Sequence, residues 1–465
     1  MELSEYMERL TGQIRSKKAR PFVEQEIRDH IDDQASAYEA QGMEREQAVR
    51  EAVRQMGDPV EVGIEMDRIH RPKTEWRLIV LVLFLSVLGL LIQYFSLYRL
   101  GAEISIHQPI VENAFARQCV YTILGLLVMG IVYYLDYSLI GKYGRLIYVL
   151  LLAALFILSA TAPVINGSHS NMKTLLYLFV PVFGGILNHY RNQGYWGILC
   201  SLMWLAAAFW MGIYRIGGGL GVTFDMAIVC YVMLFLAAKT GWFQTAKRSS
   251  LILLGAVLPI GLLILVLLTM KPYQMIRLTA LLNPEQYAMT QGYQLVTARK
   301  LVQRLPILGA GDIKSMDLEQ LPLVFLPEVS HDYIVLQYAS VYGILAAGLL
   351  ICILACFLAY LFRLARKQKN ELGRLISYGC ALVFTIETAR NLLNNFGLYT
   401  LSTGGLPFLS YGKCHTLAVY ALLGVMLSIY RYKDLVWNTK KKTRTGRPEM
   451  TAQLGSYRIR IERCK

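Results

Sequence analysis

Residues 321–334 read LPLVFLPEVSHDYI. This stretch closes the only long polar interval between strongly apolar segments, Lys271 to His331, and hands over directly to an apolar run of membrane length, Tyr333 to Phe362. Glu328 and Asp332 lie at that junction. On the residues alone, two acids there read first as caps for the helix that follows, because negative charge stabilises a helix N-terminus. A carboxylate at the rim of a bilayer, under a long loop, is also placed to act on a substrate that lies half in lipid.

The rest of the chain agrees with a bilayer setting. Its 465 residues are 55% hydrophobic and 17% charged, with a mean hydropathy of +0.40, and the apolar residues fall in runs of membrane length. The eight cysteines are scattered, mostly inside those runs. They read as small core residues, with neither a disulfide framework nor a metal-ligand set. The net charge of +15 comes from Lys and Arg beside the ends of apolar runs. That pattern marks topology and contact with anionic lipid, and no nucleic-acid partner is expected.

Residues 1–72 are different material. Phe22, Val23, Ile27, Ile31, Ala35 and Tyr38 fall near helical spacing, as do Ala48, Val49, Ala52, Val53 and Met56, with Gly42 and Gly57 as helix stops. The spacing predicts a small soluble helical domain, and the absence of an apolar core segment argues against a signal peptide. HIDDQASAYEAQGMEREQAVREAVRQMGDP resembles the short helical prefix found in front of various bacterial permeases and sensors. Its acids alternate with Arg and Lys at ion-pairing spacings, which reads as a solvated face of a cytoplasmic interaction module.

From residue 75 to about 435 the expectation is an all-α polytopic membrane domain, and from 436 to 465 a basic cytoplasmic tail. About ten spans of roughly 20 residues are expected, at 78–98, 118–138, 143–163, 174–190, 195–214, 221–238, 249–270, 333–362, 375–396 and 412–430. Pro181, Gly184 and Gly185 interrupt the fourth. Basic residues alternate between loops so that both termini face the cytoplasm and the loop at 271–332 lies outside. Asp225, Glu387 and Arg390 are costly at membrane depth unless paired. Glu387 and Arg390, three apart on one helix face, are expected to neutralise each other, and Asp225 has no evident partner. No glycine loop of the Walker type is present, so an ATP-driven pump would need another subunit.

Two more stretches complete the pattern: Arg277, Asn283-Pro284 and Gly292-Tyr293-Gln294 in the outer loop, and Asn395-Phe396-Gly397 followed by GGLPFLSYG at 404–412. With these, residues 75–435 resemble the shape, elongation, division and sporulation family, the rod-shape and cell-division membrane proteins that polymerise lipid-linked peptidoglycan precursor. PEVSHDYI looks like the family's Pro-Glu-x-x-x-Asp-Phe-Ile, and PFLSYG matches its signature. The resemblance implies a plasma-membrane peptidoglycan glycosyltransferase acting on lipid II with release of undecaprenyl diphosphate. It also implies a transpeptidase partner, a class B penicillin-binding protein. The family's essential aspartate falls on Asp332.

Under that resemblance Asp332 is the general base that takes a proton from the acceptor hydroxyl. A lipid diphosphate leaves as a stable anion, so cations rather than a second, protonated carboxyl assist it. Glu328 would raise the Asp332 pKa or help hold a divalent cation, the one candidate cofactor. Arg277, Lys271 and Arg299 are candidates for the diphosphate. Asn283, Gln294, Ser410 and Lys413 join Glu328 and Arg277 as expected substrate contacts. His331 reads as a hydrogen-bonded surface residue. Ser410 reads as shaping the cavity, since no base stands beside it to activate its hydroxyl.

The chain also departs from the family. Ser168 to Asn171 stand where the family has Arg-Trp, and Phe183 and Ile186 fall where it has an acid and a lysine. Gly218 to Gly221 replace Pro-Asp-Leu-Gly, and Lys413 replaces a second glycine. An apolar side chain cannot do the work of an ammonium, although Lys173 or Lys413 could bring charge from elsewhere. Besides the polymerase reading, a scaffold that recruits wall enzymes and a precursor transporter stay open.

Overall fold

The computed structural model describes residues 1–17, 19–104, 108–161, 170–216, 220–261, 276, 279–290, 292–309, 333–399, 404–433, 451–454 and 457–460. The chain divides into two compact units, Met1–Arg71 with Asp434–Lys465, and Pro72–Lys433.

In the first unit four helices, α1 (Leu3–Gly12), α2 (Arg20–Glu39), α3 (Arg45–Gln55) and α4 (Pro59–His70), surround a small core. Val23, Ile27, Ile31 and Ala35, four apart along α2, are buried with Tyr6, Leu10 and Ile14, the stripe that helical periodicity requires. Gly42 and Gly57 take left-handed backbone after α2 and α3. Asp58 then caps α4, its carboxylate accepting from the Val60 amide at 3.3 Å. In the tail, β1 (Thr451–Leu454) and β2 (Tyr457–Arg460) pair antiparallel.

In the second unit, seven helices among the described residues are long and apolar enough to cross a membrane: 76–95, 113–134, 138–161, 194–216, 221–239, 344–366 and 413–431. The chain is a multi-pass membrane protein. Its elements are α5 (Trp76–Ile104), α6 (Gln108–Tyr134), α7 (Ser138–Thr161), a 3₁₀ helix (Ser170–Leu178) running into α8 (Phe179–His189), α9 (Gly194–Trp210) with a π turn (Met211–Ile216), α10 (Leu220–Lys239) and α11 (Lys247–Ile252). A 3₁₀ turn (Pro284–Tyr287), α12 (Tyr293–Gln303), α13 (Ile334–Tyr342), α14 (Ile344–Arg366), α15 (Glu371–Asn395) and α16 (Lys413–Arg431) follow.

Two expected spans take a different form. The run 333–362 is broken by Gly343, whose φ of 92° ends α13 after nine residues and starts α14. An alanine there would clash with the Ile307 and Leu308 backbone. The fourth span combines nine residues of 3₁₀ helix with eleven of α-helix. At about 2.0 and 1.5 Å per residue the two together reach roughly 34 Å, whereas α8 alone would fall short of the bilayer. The expected span at 249–270 begins as α11 and a π turn, Leu253–Val257; residues 262–270 lie outside the described set.

Every residue of α8 from Phe179 to Leu187 is buried. Its glycines explain how. Gly185 lies on the Ile140 carbonyl and Gly144, and a Cβ built on Gly144 would sit 2.8 Å from the Gly185 carbonyl carbon. Lipid gives helices no hydrophobic reason to associate, so close backbone approach through small residues supplies the contact. Replacing Gly144 with valine should cost about 1–3 kcal/mol through overpacking and lower the thermal midpoint in detergent. Gly130→Ala, with nothing within 4 Å of its added methyl, should leave the midpoint unchanged or raise it. Equal midpoints for the two variants would remove this account of the α7–α8 contact.

Candidate functional site

Helix α15 organises the polar interior. Asn370 caps it, accepting from the Leu372 amide at 2.9 Å. Near its other end Glu387, Arg390, Asn391, Asn394 and Asn395 are all buried. Their spacing, i, i+3, i+4, i+7 and i+8, places them on one face.

Each member of that face holds another element. Arg390 pairs with Asp225 of α10 at 2.9 Å. The Tyr177 hydroxyl, from the 3₁₀ helix, donates to Asp225 Oδ2 at 3.0 Å, and Arg390 Nη2 donates to that hydroxyl at 3.4 Å. Glu387, 1% exposed, lies 3.1 Å from His415 Nε2 of α16. Asn391 Nδ2 donates to the Gly404 carbonyl. Asn395 Oδ1 accepts from the Leu336 amide of α13 at 2.8 Å, and the Tyr333 hydroxyl donates to Asn394 Oδ1 at 3.3 Å. The expectation that Glu387 and Arg390 neutralise each other is therefore corrected. Each takes a partner from another helix, and Asp225 has its counterion in Arg390. Helical spacing reports only neighbours on the same helix, and both partners come from distant sequence.

The loop 404–412 lies directly on these groups. A Cβ at Gly405 would meet the His415 imidazole at 2.7 Å, and one at Gly404 would run into the Arg390 guanidinium. Only glycine lets the backbone approach so closely. Farther along, the Leu406 amide donates to Ser410 Oγ at 2.7 Å while the Ser410 amide returns to the Leu406 carbonyl at 3.1 Å. Gln93 of α5 donates to the Leu409 carbonyl, and Gln118 of α6 accepts from the Gly412 amide at 3.2 Å. Phe408 is held at φ 68°, a conformation costing about 1–2 kcal/mol for a residue with a side chain. Its ring is fixed between Phe357 and Tyr420, at 5.4 and 5.8 Å. Burial pushes the Tyr399 hydroxyl above its ordinary pKa, against the lowering effect of Arg390.

From the segment between α11 and α13, α12 buries Leu295, Ala298 and Leu301, and Ala298 and Leu301 pack against Tyr333 and Leu336. Arg299 Nε donates to the Gly397 carbonyl at 2.8 Å, so this expected diphosphate ligand is tied to the end of α15. Gln294 is half-buried in the first turn of α12, and Asn283 is exposed before the 3₁₀ turn. Ser410 is buried within its own turn, and Lys413 is exposed at the start of α16. Asp332, Glu328, Arg277, Lys271 and His331 lie outside the described residues. Tyr333, directly after Asp332, is 2% exposed. Phe183 and Ile186, at the positions where an acid and a lysine were expected, are fully buried in apolar packing. Among the described residues no group of three His, Cys, Asp or Glu side chains could hold a metal.

His415, Tyr177 and Arg215 escaped the sequence reading. Arg215 stood as a lone cation directly after the expected span 195–214; His415 and Tyr177 had no local signal.

Residues 76–435 match the cell cycle protein family of FtsW, RodA and SpoVE. A probable peptidoglycan glycosyltransferase FtsW from Hydrogenovibrio crunogenus is 29% identical over 212 residues, 45% of this chain and 51% of that protein. Stage V sporulation protein E from Bacillus subtilis is 25% identical over 375 residues, 76% of this chain and 96% of that protein. The chain spans about half the length of the FtsW relatives it matches first, 51% and 52%. Among solved structures, a chain of a peptidoglycan synthase complex matches with a TM-score of 0.59 at 20% identity, covering 77% of this chain and 99% of that one. The rod shape determining protein RodA of Thermus thermophilus matches at 0.51 and 18%, covering 77% and 97%. These two likenesses concern the fold.

Removing one partner of a buried ion pair leaves an uncompensated charge, at a cost of about 3–5 kcal/mol. Arg390→Gln and Asp225→Asn alone should each lower the thermal midpoint sharply, and the double variant should recover a large part of the loss. Strict additivity across that double-mutant cycle would show that the two charges do not act as a pair.

Proposed function

The chain belongs to the cell cycle protein family of FtsW, RodA and SpoVE, and from that premise we propose that it is a peptidoglycan glycosyltransferase polymerising lipid II. The observation that carries this reading is the family match across 76–435, together with the two motif segments gathered on α15. Asn394 and Asn395 hold the start of α13, immediately after Asp332, and Asn391 holds Gly404 at the head of the loop bearing PFLSYG.

In the proposed step the acceptor hydroxyl oxygen attacks the anomeric carbon of the donor sugar. The bond from that carbon to the diphosphate oxygen breaks, the lipid diphosphate leaves as an anion, and the hydroxyl proton passes to the Asp332 carboxylate. Glu328, Arg277, Asn283, Gln294, Ser410 and Lys413 are the proposed substrate contacts. A divalent cation, held with Glu328, is the candidate cofactor.

The proposal places the protein in a bacterial plasma membrane with both termini cytoplasmic, as the distribution of basic loops supports. The four-helix unit before residue 72 is then a cytoplasmic interaction module. A class B penicillin-binding transpeptidase is the proposed partner; the solved relative comes from a complex that coordinates polymerization and crosslinking. One observation favours a second reading, a scaffold without turnover: Phe183 and Ile186 are packed apolar side chains where the family carries charge.

Labelled lipid II and the partner separate the two readings. The wild type should yield glycan strands, and Asp332→Asn should reduce the rate at least about 100-fold, the minimum general-base contribution, with partner binding retained. An inactive wild-type complex would leave the scaffold, and an unimpaired Asp332→Asn variant would remove Asp332 as the base.

A further inference from the structure

Helix α9 ends in a π turn, Met211–Ile216, a widened geometry that recurs at functional sites. The turn carries Arg215. Its guanidinium carbon lies 4.5 Å over the Phe156 ring of α7, and its Nε is buried with no hydrogen-bond partner. Among the described residues Arg215 has no carboxylate and no acceptor for any of its donors. At the end of a membrane span a half-buried arginine can reach toward the interface, where its donors can meet an anion.

The surroundings say where that anion would come from. Trp210 and Tyr214, 55% and 74% exposed with ring centroids 5.8 Å apart, are the aromatic pair expected at headgroup depth. Ile157, Leu150 and Met203 present exposed apolar surface on α7 and α9, suited to an aliphatic chain. The 3₁₀ helix bearing Lys173 packs against the π turn and brings a second positive residue to the same end. The Phe156 ring holds the guanidinium close by a cation–π contact, and a guanidinium fork suits phosphate oxygens better than an ammonium does.

The geometry points to a binding site for a polyprenyl diphosphate, with Arg215 as its phosphate ligand on the lipid-facing side of α7 and the π turn. The inference rests on the glycosyltransferase reading, whose leaving group it would receive. It also places the phosphate-binding cation away from Ile186, where this chain has only apolar packing.

The test uses full-length protein in detergent with four probes: undecaprenyl diphosphate, undecaprenyl monophosphate, inorganic diphosphate and phosphatidylglycerol. Undecaprenyl diphosphate should bind most tightly, and Arg215→Gln should weaken it at least about tenfold, as loss of a charge-assisted phosphate contact implies. Arg215→Lys should lose less. Should Arg215→Gln prove unstable by its thermal midpoint, Phe156→Leu keeps the charge, removes the stack and should still weaken binding. Equal affinity of wild type and Arg215→Gln would overturn the site, and so would phosphatidylglycerol competing as well as undecaprenyl diphosphate. Tighter binding of inorganic diphosphate would overturn the lipid as ligand. Glycan synthesis measured in parallel keeps the two claims apart. An inactive wild type that still loses diphosphate binding on Arg215→Gln would sink only the polymerase reading. An active enzyme whose Arg215→Gln variant binds and turns over normally would sink only this site.

Discussion

A helix with a carboxylate, a guanidinium and three amides on one face cannot turn that face to lipid. Each unsatisfied polar group in hydrocarbon costs several kcal/mol. Helix α15 therefore lies inside the bundle, and its neighbours are chosen by what Glu387, Arg390, Asn391, Asn394 and Asn395 require. Asp225 and Tyr177 answer Arg390 and His415 lies beside Glu387, while the backbones of Gly404 and Leu336 answer Asn391 and Asn395 and the Tyr333 hydroxyl answers Asn394. The interior polarity thus specifies which helices meet and in what register, a role apolar packing between membrane helices performs poorly.

The same constraint shapes the irregular backbone. Non-helical chain at membrane depth survives only where protein satisfies its polar groups. The loop at 404–412 meets that condition through Asn391, Gln93 and Gln118, and through its own closed turn between Leu406 and Ser410. Phe408 stays in a left-handed conformation because its ring is fixed between Phe357 and Tyr420 and the next carbonyl, that of Leu409, accepts from Gln93. A segment held against its own backbone preference depends on the contacts around it to keep that shape. The break at Gly343 acts similarly. By ending α13 after nine residues it lets that short helix follow the end of α15, independent of the direction of α14.

Much of this was legible in the sequence, for identifiable reasons. Apolar runs of membrane length announce themselves, so most spans were placed within a few residues, and PFLSYG identified the loop. The interior pairs were not legible. Glu387 and Arg390 sit three apart, and local spacing suggested the wrong partner for both, because long-range pairing leaves no trace in a helical period. Gly343 looked like one more small residue in an apolar run, since nothing in Val341-Tyr342-Gly343-Ile344 signals that Ile307 and Leu308 lie against it. Helix α8 read as an interrupted span because the glycines that let it pack on α7 are the residues that weaken a helix taken alone. Asp332, Glu328 and Arg277, the residues read first, lie outside the described set and stay proposals.

The apolar filling around Phe183 and Ile186 bears on how charge is distributed in this protein. A bundle that gives up a cation on α8 must also lose or re-pair the anion that cation would have served, because an isolated buried charge is the costlier outcome. Here Phe183 and Ile186 are both buried apolar side chains, so α8 places no charge at either position. Among the described residues Asp225 of α10 is matched across helices by Arg390 of α15, and Glu387 of α15 lies beside the His415 imidazole of α16. Arg215 stands outside this balance, half-buried on its π turn with an aromatic ring in place of an acid. Among the described residues, then, Arg215 is a cation whose neighbour is a ring, where Arg390 has a carboxylate.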